Sequence, residues 1–329
     1  MGEIYDGGVP LVEAVRSGFV ESVHRGSVVV LDADGAVVAS AGDVRAPVFP
    51  RSSSKPMQAI GMIRSGLRLA DPADLAVVCA SHYGEDVHLA RIEALLRTTG
   101  LDESALRCPP DMPLSEDARD AVLRAGGAAS RLRMNCSGKH VGMLLTCQAA
   151  GWPVAGYWHP DHPLQRAITA TVEEFTGESV AAVGVDGCGA PVLAVSLTGL
   201  AGAYLRLVSA AEGSVERIVA DAMRAHPLMV AGTDGADTQL MTGIPGLLAK
   251  SGAEGVVAVA VPGVGAVALK IDDGATRART PVLVSALRRL SVRGTALDAP
   301  VLDAPVLDLL AESTLSGGGE PVGSVRARW

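Results

Sequence analysis

The order of apolar runs along this chain restricts its fold more than any other feature. Strand-like runs lie near both ends, and helical patterns fill the stretch between them. Near the start, Val28-Val29-Val30-Leu31 and Ala36-Val37-Val38 flank Asp34-Gly35, a pair suited to the positive φ of a tight turn, so residues 26–41 read as a hairpin. Near the end, 256–261 and 266–271 alternate around Pro262-Gly263 as a second hairpin. Helical periodicity covers 87–96, 115–125, 141–150, 164–175, 193–208, 215–225 and 281–290, while 75–80 and 180–185 read as short apolar runs of strand type. A regular βαβ alternation would give a parallel sheet. This order instead predicts a mixed α/β fold, with one sheet built from N- and C-terminal strands, flanking helices, and a mainly helical region inserted at about 85–180. Residues 10–295 form one domain on this reading. The segment 296–329 reads as an extended tail, because Pro300 and Pro305 in its small repeat (Leu297 to Val306) disfavour a helix.

A chain of 329 residues with 48% hydrophobic side chains carries too much apolar surface to stay disordered. Its longest apolar stretch, 256–269, is broken by Pro262, Gly263 and Gly265, whereas a spanning helix needs about 20 uninterrupted residues. Met1 to Asp6 has neither the basic nor the apolar segment of a signal peptide, so a cytoplasmic location and no membrane partner are the expectation. The net charge of −8 comes without a run of Lys and Arg, which argues against nucleic acid as a partner. Arg277, Arg279, Arg288, Arg289 and Arg293 read as the solvated side of one helix and its flanks. Five cysteines in such a chain point to burial, catalysis or metal binding rather than a disulfide framework.

Four constellations carry possible chemistry. In Ser52-Ser53-Ser54-Lys55, Ser52 and Lys55 share a helix face, and a neutral lysine could take the serine's proton. The same spacing also describes a serine helix cap followed by an exposed lysine. Lys250-Ser251-Gly252 precedes the second hairpin, and Lys-Ser-Gly accompanies Ser-x-x-Lys in serine acylases. Ser81-His82-Tyr83-Gly84-Glu85 ends an apolar run, where Ser81 could pair with Lys250, although a structural histidine explains the cluster as well. Cys136 and Cys188 sit in glycine-rich loops and could bind a borderline metal, with Lys139, His140 or Asp186 completing the shell, while Cys79, Cys108 and Cys147 read as core residues. His159-Pro160-Asp161-His162-Pro163 reads as a rigid turn capping the next helix.

Together, the blocks around Arg51–Gln58, Ser81–Glu85, Asn135–His140, Asp186–Pro191, Lys250–Gly255 and Ala268–Gly274 resemble the rhizobial-type (class 3) L-asparaginases. The resemblance runs in order from about residue 10 to 290. It implies a fold like that of serine β-lactamases and bacterial-type glutaminases, and hydrolysis of L-asparagine to L-aspartate and ammonia. Ser52 with Lys55 would be one catalytic couple and Ser81 with Lys250 or Lys270 the other. Cys136, Lys139 and Cys188 would hold zinc, which would orient substrate rather than activate water. Asp186 would meet the substrate's amino group, with Arg51, Asn135 and His140 as further substrate-binding residues. A penicillin-interacting serine acylase, a glutaminase and a non-catalytic metal-binding protein are the alternatives; the first lacks a Ser-Asp-Asn tripeptide here. A homodimer is the expected assembly, being the commonest symmetric form.

Overall fold

The computed structural model describes residues 5–292 and 304–329. Its strands are β1 (Val9–Arg16), β2 (Phe19–Asp32), β3 (Val37–Ala41), β4 (Pro47–Val48), β5 (Val183–Val185), β6 (Pro191–Leu193), β7 (Val195–Ser196), β8 (Leu248–Ser251), β9 (Val256–Val261), β10 (Gly265–Ile271), β11 (Glu312–Gly317) and β12 (Glu320–Ala327). The helices are α1 (Lys55–Arg64), α2 (Pro72–Val78), α3 (Asp86–Thr98), α4 (Glu116–Arg124), α5 (Ser137–Ala149), α6 (Pro163–Thr176), α7 (Leu197–Ser209), α8 (Val215–Ala225), α9 (Pro227–Val230), α10 (Ala236–Gly243), α11 (Thr276–Val292) and α12 (Pro305–Leu310).

One antiparallel sheet runs in the order β11-β12-β1-β2-β10-β9-β8, with β3 also paired to β2. The two hairpins read from the sequence therefore meet at its centre, where β2 and β10 pair from Gly265 opposite Asp32 to Ile271 opposite Gly26. Consecutive residues of β2, β9 and β10 are buried, so side chains pointing both ways from the pleat are covered. The covering helices are α7, against β2, β9 and β10, and α11, against β10, β2, β1 and β12. Everything from α1 to α10 lies between β3 and β8 in the chain and, apart from the three short strands β5, β6 and β7, forms a helical body. Its centre is α1, buried from Lys55 to Met62 and packed on α2, α5, α6 and α8.

Three readings of the sequence are corrected. Residues 75–80 belong to α2 and its end rather than to a strand, because Asp71 accepts the Ala73 N–H at 2.8 Å and Pro72 occupies the first turn. The helix expected from 193 starts at Leu197, where the Ser196 hydroxyl accepts the Gly199 N–H; the residues before it form β6 and β7. Of the expected tail, residues 312–327 form the hairpin β11–β12, and β12 pairs with β1. Its turn, Gly318-Gly319, has φ of +59° and +88°, the conformation that joins two strands with matching twist. Ser17-Gly18, at +50° and +81°, does the same between β1 and β2. Leu297 to Asp303, most of the repeat, and Arg293 lie outside the described residues. The turn at His159–Pro163 does cap α6, with His162 Nδ1 accepting the Leu164 N–H at 3.2 Å.

Candidate active site

A cavity of about 480 Å³ opens beside the β8 edge of the sheet, where loops of the helical body meet it. That volume suits a small metabolite. Eight of the eleven residues singled out above line it: Arg51, Ser52, Ser81, Asn135, Cys136, Asp186, Cys188 and Lys250. Lys55 and Lys139 reach it from behind through hydrogen bonds to Ser81, Cys136 and Cys188. His140 is not brought to it. Its Nδ1 bonds the Tyr157 hydroxyl at 2.7 Å in the core, and burial pushes its pKa well below the ordinary value.

Ser52 belongs to a single 3₁₀ turn, Arg51–Ser54, that runs directly into α1. Arg51 enters the turn with φ of +52°, a left-handed conformation that a residue bearing a Cβ adopts only at a cost. The restraint that holds it there is visible: Arg51 Nε donates to Asp186 Oδ1 at 2.6 Å, and Tyr204 donates to the Ser53 carbonyl at 2.8 Å. The turn also lies against β8, with the Ser53 hydroxyl donating to the Lys250 carbonyl at 2.8 Å. An added Cβ on Gly252 would come within 2.5 Å of the Pro50 carbonyl oxygen, so only glycine lets the two backbones approach this closely.

The serine–lysine pairing differs from the one expected. Lys55 Nζ donates to Ser81 Oγ at 3.2 Å, to Cys136 Sγ at 3.1 Å and to the Ala80 carbonyl, rather than to Ser52. Three acceptors saturate an ammonium group. Lys250 does not hold Ser81. Its amine lies 3.4 Å from Asp237 Oδ2 and donates to the Ser251 carbonyl at 2.7 Å. Lys270 is turned to carbonyls of Glu254 and Ile271. Burial pulls the Lys250 amine down to about 8, against the attraction of Asp237 and with help from the Lys55 charge. Burial opposes ionisation of Asp237, yet the charges of Lys250 and Arg279 and the bonds from Ser251 hold its carboxyl below the usual range.

Behind Ser81, His82 is structural. Its Nδ1 accepts the Gly84 N–H, so Nε2 carries the proton and donates to Ser137 Oγ at 2.8 Å, while burial beside His88 and Lys55 keeps the ring neutral. The sulfur cluster is more polarised. A hydrogen bond from Cys136 lowers Cys188 to about 5 in spite of its burial, with Lys139 adding to the effect; Lys139 Nζ donates to Cys188 Sγ at 3.0 Å. Cys136, as the donor and buried, is pushed up to about 12. Among the described residues, no group of three His, Cys, Asp or Glu side chains could hold a metal ion.

The sequence reading missed Asp237, gave no role of their own to Tyr83 and Ser251 within the motifs that contain them, and placed Arg279 in solvent; all four line the cavity. Arg279 is thus not on the solvated side of its helix, and Arg277 donates to His24 Nε2 at 3.1 Å. No spacing flags Asp237, which lies 13 residues from Lys250 on another element.

A family model described as L-asparaginase II matches residues 12–327. The chain belongs to that family. It is an amidohydrolase acting on a small molecule. The matched span includes β11 and β12, so the C-terminal hairpin is part of the family's domain. No curated protein matches the sequence. Among solved structures, a β-lactamase from Mycobacterium bovis shares 16% identity over 76% of this chain and 88% of its own, with a TM-score of 0.38. EstCE1, a hydrolase with promiscuous acyltransferase activity, shares 15% over 87% and 93%, with a TM-score of 0.40. Mglu in its tris and glutamate form shares 16% over 87% and 65%, with a TM-score of 0.38. No helix among the described residues is long and apolar enough to cross a membrane.

Proposed function

We propose that this chain hydrolyses the side-chain amide of L-asparagine to L-aspartate and ammonia through a serine ester. The observation that carries this reading is the convergence of Ser52, Ser81, Lys55 and Lys250 on one small cavity that also presents the Arg51–Asp186 pair. Ser52 is the nucleophile. Its hydroxyl has no protein hydrogen-bond partner among the described residues, and it stands at the N-terminal, electropositive end of α1. The base is Lys250, whose amine loses its proton near pH 8 and can accept that of Ser52. Ser52 and Ala253 both line the same cavity, and their backbone amides would receive the oxyanion. The Lys55–Ser81 pair then passes a proton to the departing nitrogen, and water hydrolyses the ester. Asp186 attracts the substrate's ammonium group.

Cys136, Cys188 and Lys139 are a donor set zinc accepts by type. Lys139, however, donates to Cys188 Sγ at 3.0 Å as an ammonium, held protonated against its burial by the charges of Cys188, Cys136 and Asp186. Zinc would bind here only by displacing protons from Lys139 and Cys136. Bound there, zinc would supply a Lewis-acidic anchor for orienting the substrate. Ammonia release from L-asparagine and from L-glutamine tests the reading. Ser52→Ala is expected to lose roughly 1,000-fold or more, and Ser81→Ala to lose turnover as well, both with unchanged thermal melting. Near-normal turnover in folded Ser52→Ala protein would sink the nucleophile assignment.

A further inference from the structure

The cavity is lined by three cationic side chains, and two of them are matched by carboxylates. Arg51 is bonded to Asp186 at 2.6 Å and lies 3.8 Å from Glu254. Lys250 faces Asp237 at 3.4 Å. The third, Arg279, is on the first turn of α11, and its Nη1 donates to the Gly252 carbonyl at 3.2 Å. Its charge acts on Asp237 only from beyond ion-pair distance, and among the described residues no carboxylate pairs with it directly. One hydrogen bond leaves four of the five guanidinium N–H groups unspent. The remaining acidic side chain of the cavity, Asp111, accepts the N–H of its neighbour Met112 at 2.8 Å and pairs with no cation there.

We propose that Arg279 is the receptor for the α-carboxylate of the amino-acid substrate. The assignment rests on the amide-hydrolase reading of this cavity and adds to it the group that recognises the rest of the substrate. A guanidinium presents a planar fork that matches a carboxylate with two parallel hydrogen bonds, which an ammonium cannot do. Arg51 would have to give up a 2.6 Å ion pair to serve, and Lys250 has to be neutral to act as the base. The bond to Gly252 also has a positional consequence. Gly252 follows Lys250 and Ser251 directly in the chain and touches the turn that carries Ser52, so Arg279 is registered against the reacting group through a single rigid segment. A carboxylate held on Arg279 therefore fixes how many carbons may separate it from the amide, the one respect in which asparagine and glutamine differ.

Three substrates separate the contributions: L-asparagine, 3-aminopropanamide, which lacks the α-carboxylate, and succinamate, which lacks the α-amino group. In Arg279→Gln, kcat/KM for asparagine and for succinamate should fall roughly 10- to 100-fold, the worth of a charge-assisted hydrogen bond, with most of the loss in KM. The loss on 3-aminopropanamide should be smaller by about that factor. Arg279→Lys should recover part of the loss, because the charge returns without the fork. Equal losses on all three substrates would overturn the assignment and leave Arg279 a structural residue. Calorimetric binding of L-aspartate to the wild type and to Arg279→Gln gives an answer that does not depend on turnover. Weakening of about 10-fold or more supports the assignment. Equal affinity, or no binding to the wild type, overturns it. Wild-type protein that binds L-aspartate through Arg279 yet releases no ammonia would instead refute the asparaginase reading.

Discussion

Replacing Asp237 by Asn tests whether Lys250 is the base, and the structure sets the size of the effect. The two side chains are fully buried and 3.4 Å apart. At the effective dielectric that describes such pairs, opposite unit charges about 4 Å apart attract by about 4 kcal/mol, or roughly 3 pH units at 1.36 kcal/mol each. Ser251 draws off part of the carboxylate's charge through its N–H at 2.8 Å and its hydroxyl at 2.5 Å, so the effect on Lys250 should be on the order of 2 units. The sign follows from which form is favoured. A carboxylate stabilises the ammonium, so its loss lowers the amine's pKa from about 8 towards roughly 6, a value buried lysines do reach. If Lys250 must be neutral to accept the proton of Ser52, the wild-type limiting rate rises with pH through about 8, and in Asp237→Asn the rise moves down by about 2 units. The assay is kcat for ammonia release between pH 5 and 10, with a thermal melt of each protein to show that the fold survives. A midpoint that stays near 8 in the folded variant would refute the assignment and transfer the base role to Lys55. A limiting rate that falls with rising pH would make Lys250 an acid.

Two further outcomes follow from the same geometry. Elemental analysis of protein purified without added metal should find about one zinc per chain, lost in Cys136→Ala and in Cys188→Ser, with chelation raising KM more than it lowers kcat; a metal-free protein with full activity in chelator would leave the two cysteines as packing residues. Gly252→Ala should cost about 1–3 kcal/mol of stability and also lower kcat, because its Cβ would stand 2.5 Å from the Pro50 carbonyl and push β8 away from the turn holding Ser52. Normal activity in that variant would show that the approach of the two backbones is not needed.

The sequence by itself determined the elements whose residues repeat a local pattern. The hairpins β2–β3 and β9–β10 carry the alternation and turn residues of half-buried or buried strands, and α3, α4, α6 and α8 carry apolar faces at helical spacing, so each was legible from its own residues. The family blocks were legible too, because Ser52, Ser81, Cys136, Asp186 and Lys250 lie in short motifs along the chain. The ends of the sheet were not. In β12 only Val325 is fully buried, and β1 is recognised as a strand chiefly by its partners β2 and β12, so neither shows an alternation strong enough to read alone. The pairing of charges was equally hidden. Which serine Lys55 holds depends on how α1 packs beside the end of α2, and Lys250 finds Asp237 because the loop after α9 folds back against Tyr83 and Glu85, where the Thr233 N–H donates to Glu85 at 2.8 Å. The placement of Arg279 on the cavity rather than in solvent is of the same kind: it follows from where α11 crosses the sheet. Periodicity reports what a segment buries, which is local. Hydrogen bonds and ion pairs between segments far apart in the chain leave no spacing in the sequence, and only the packed structure decides them.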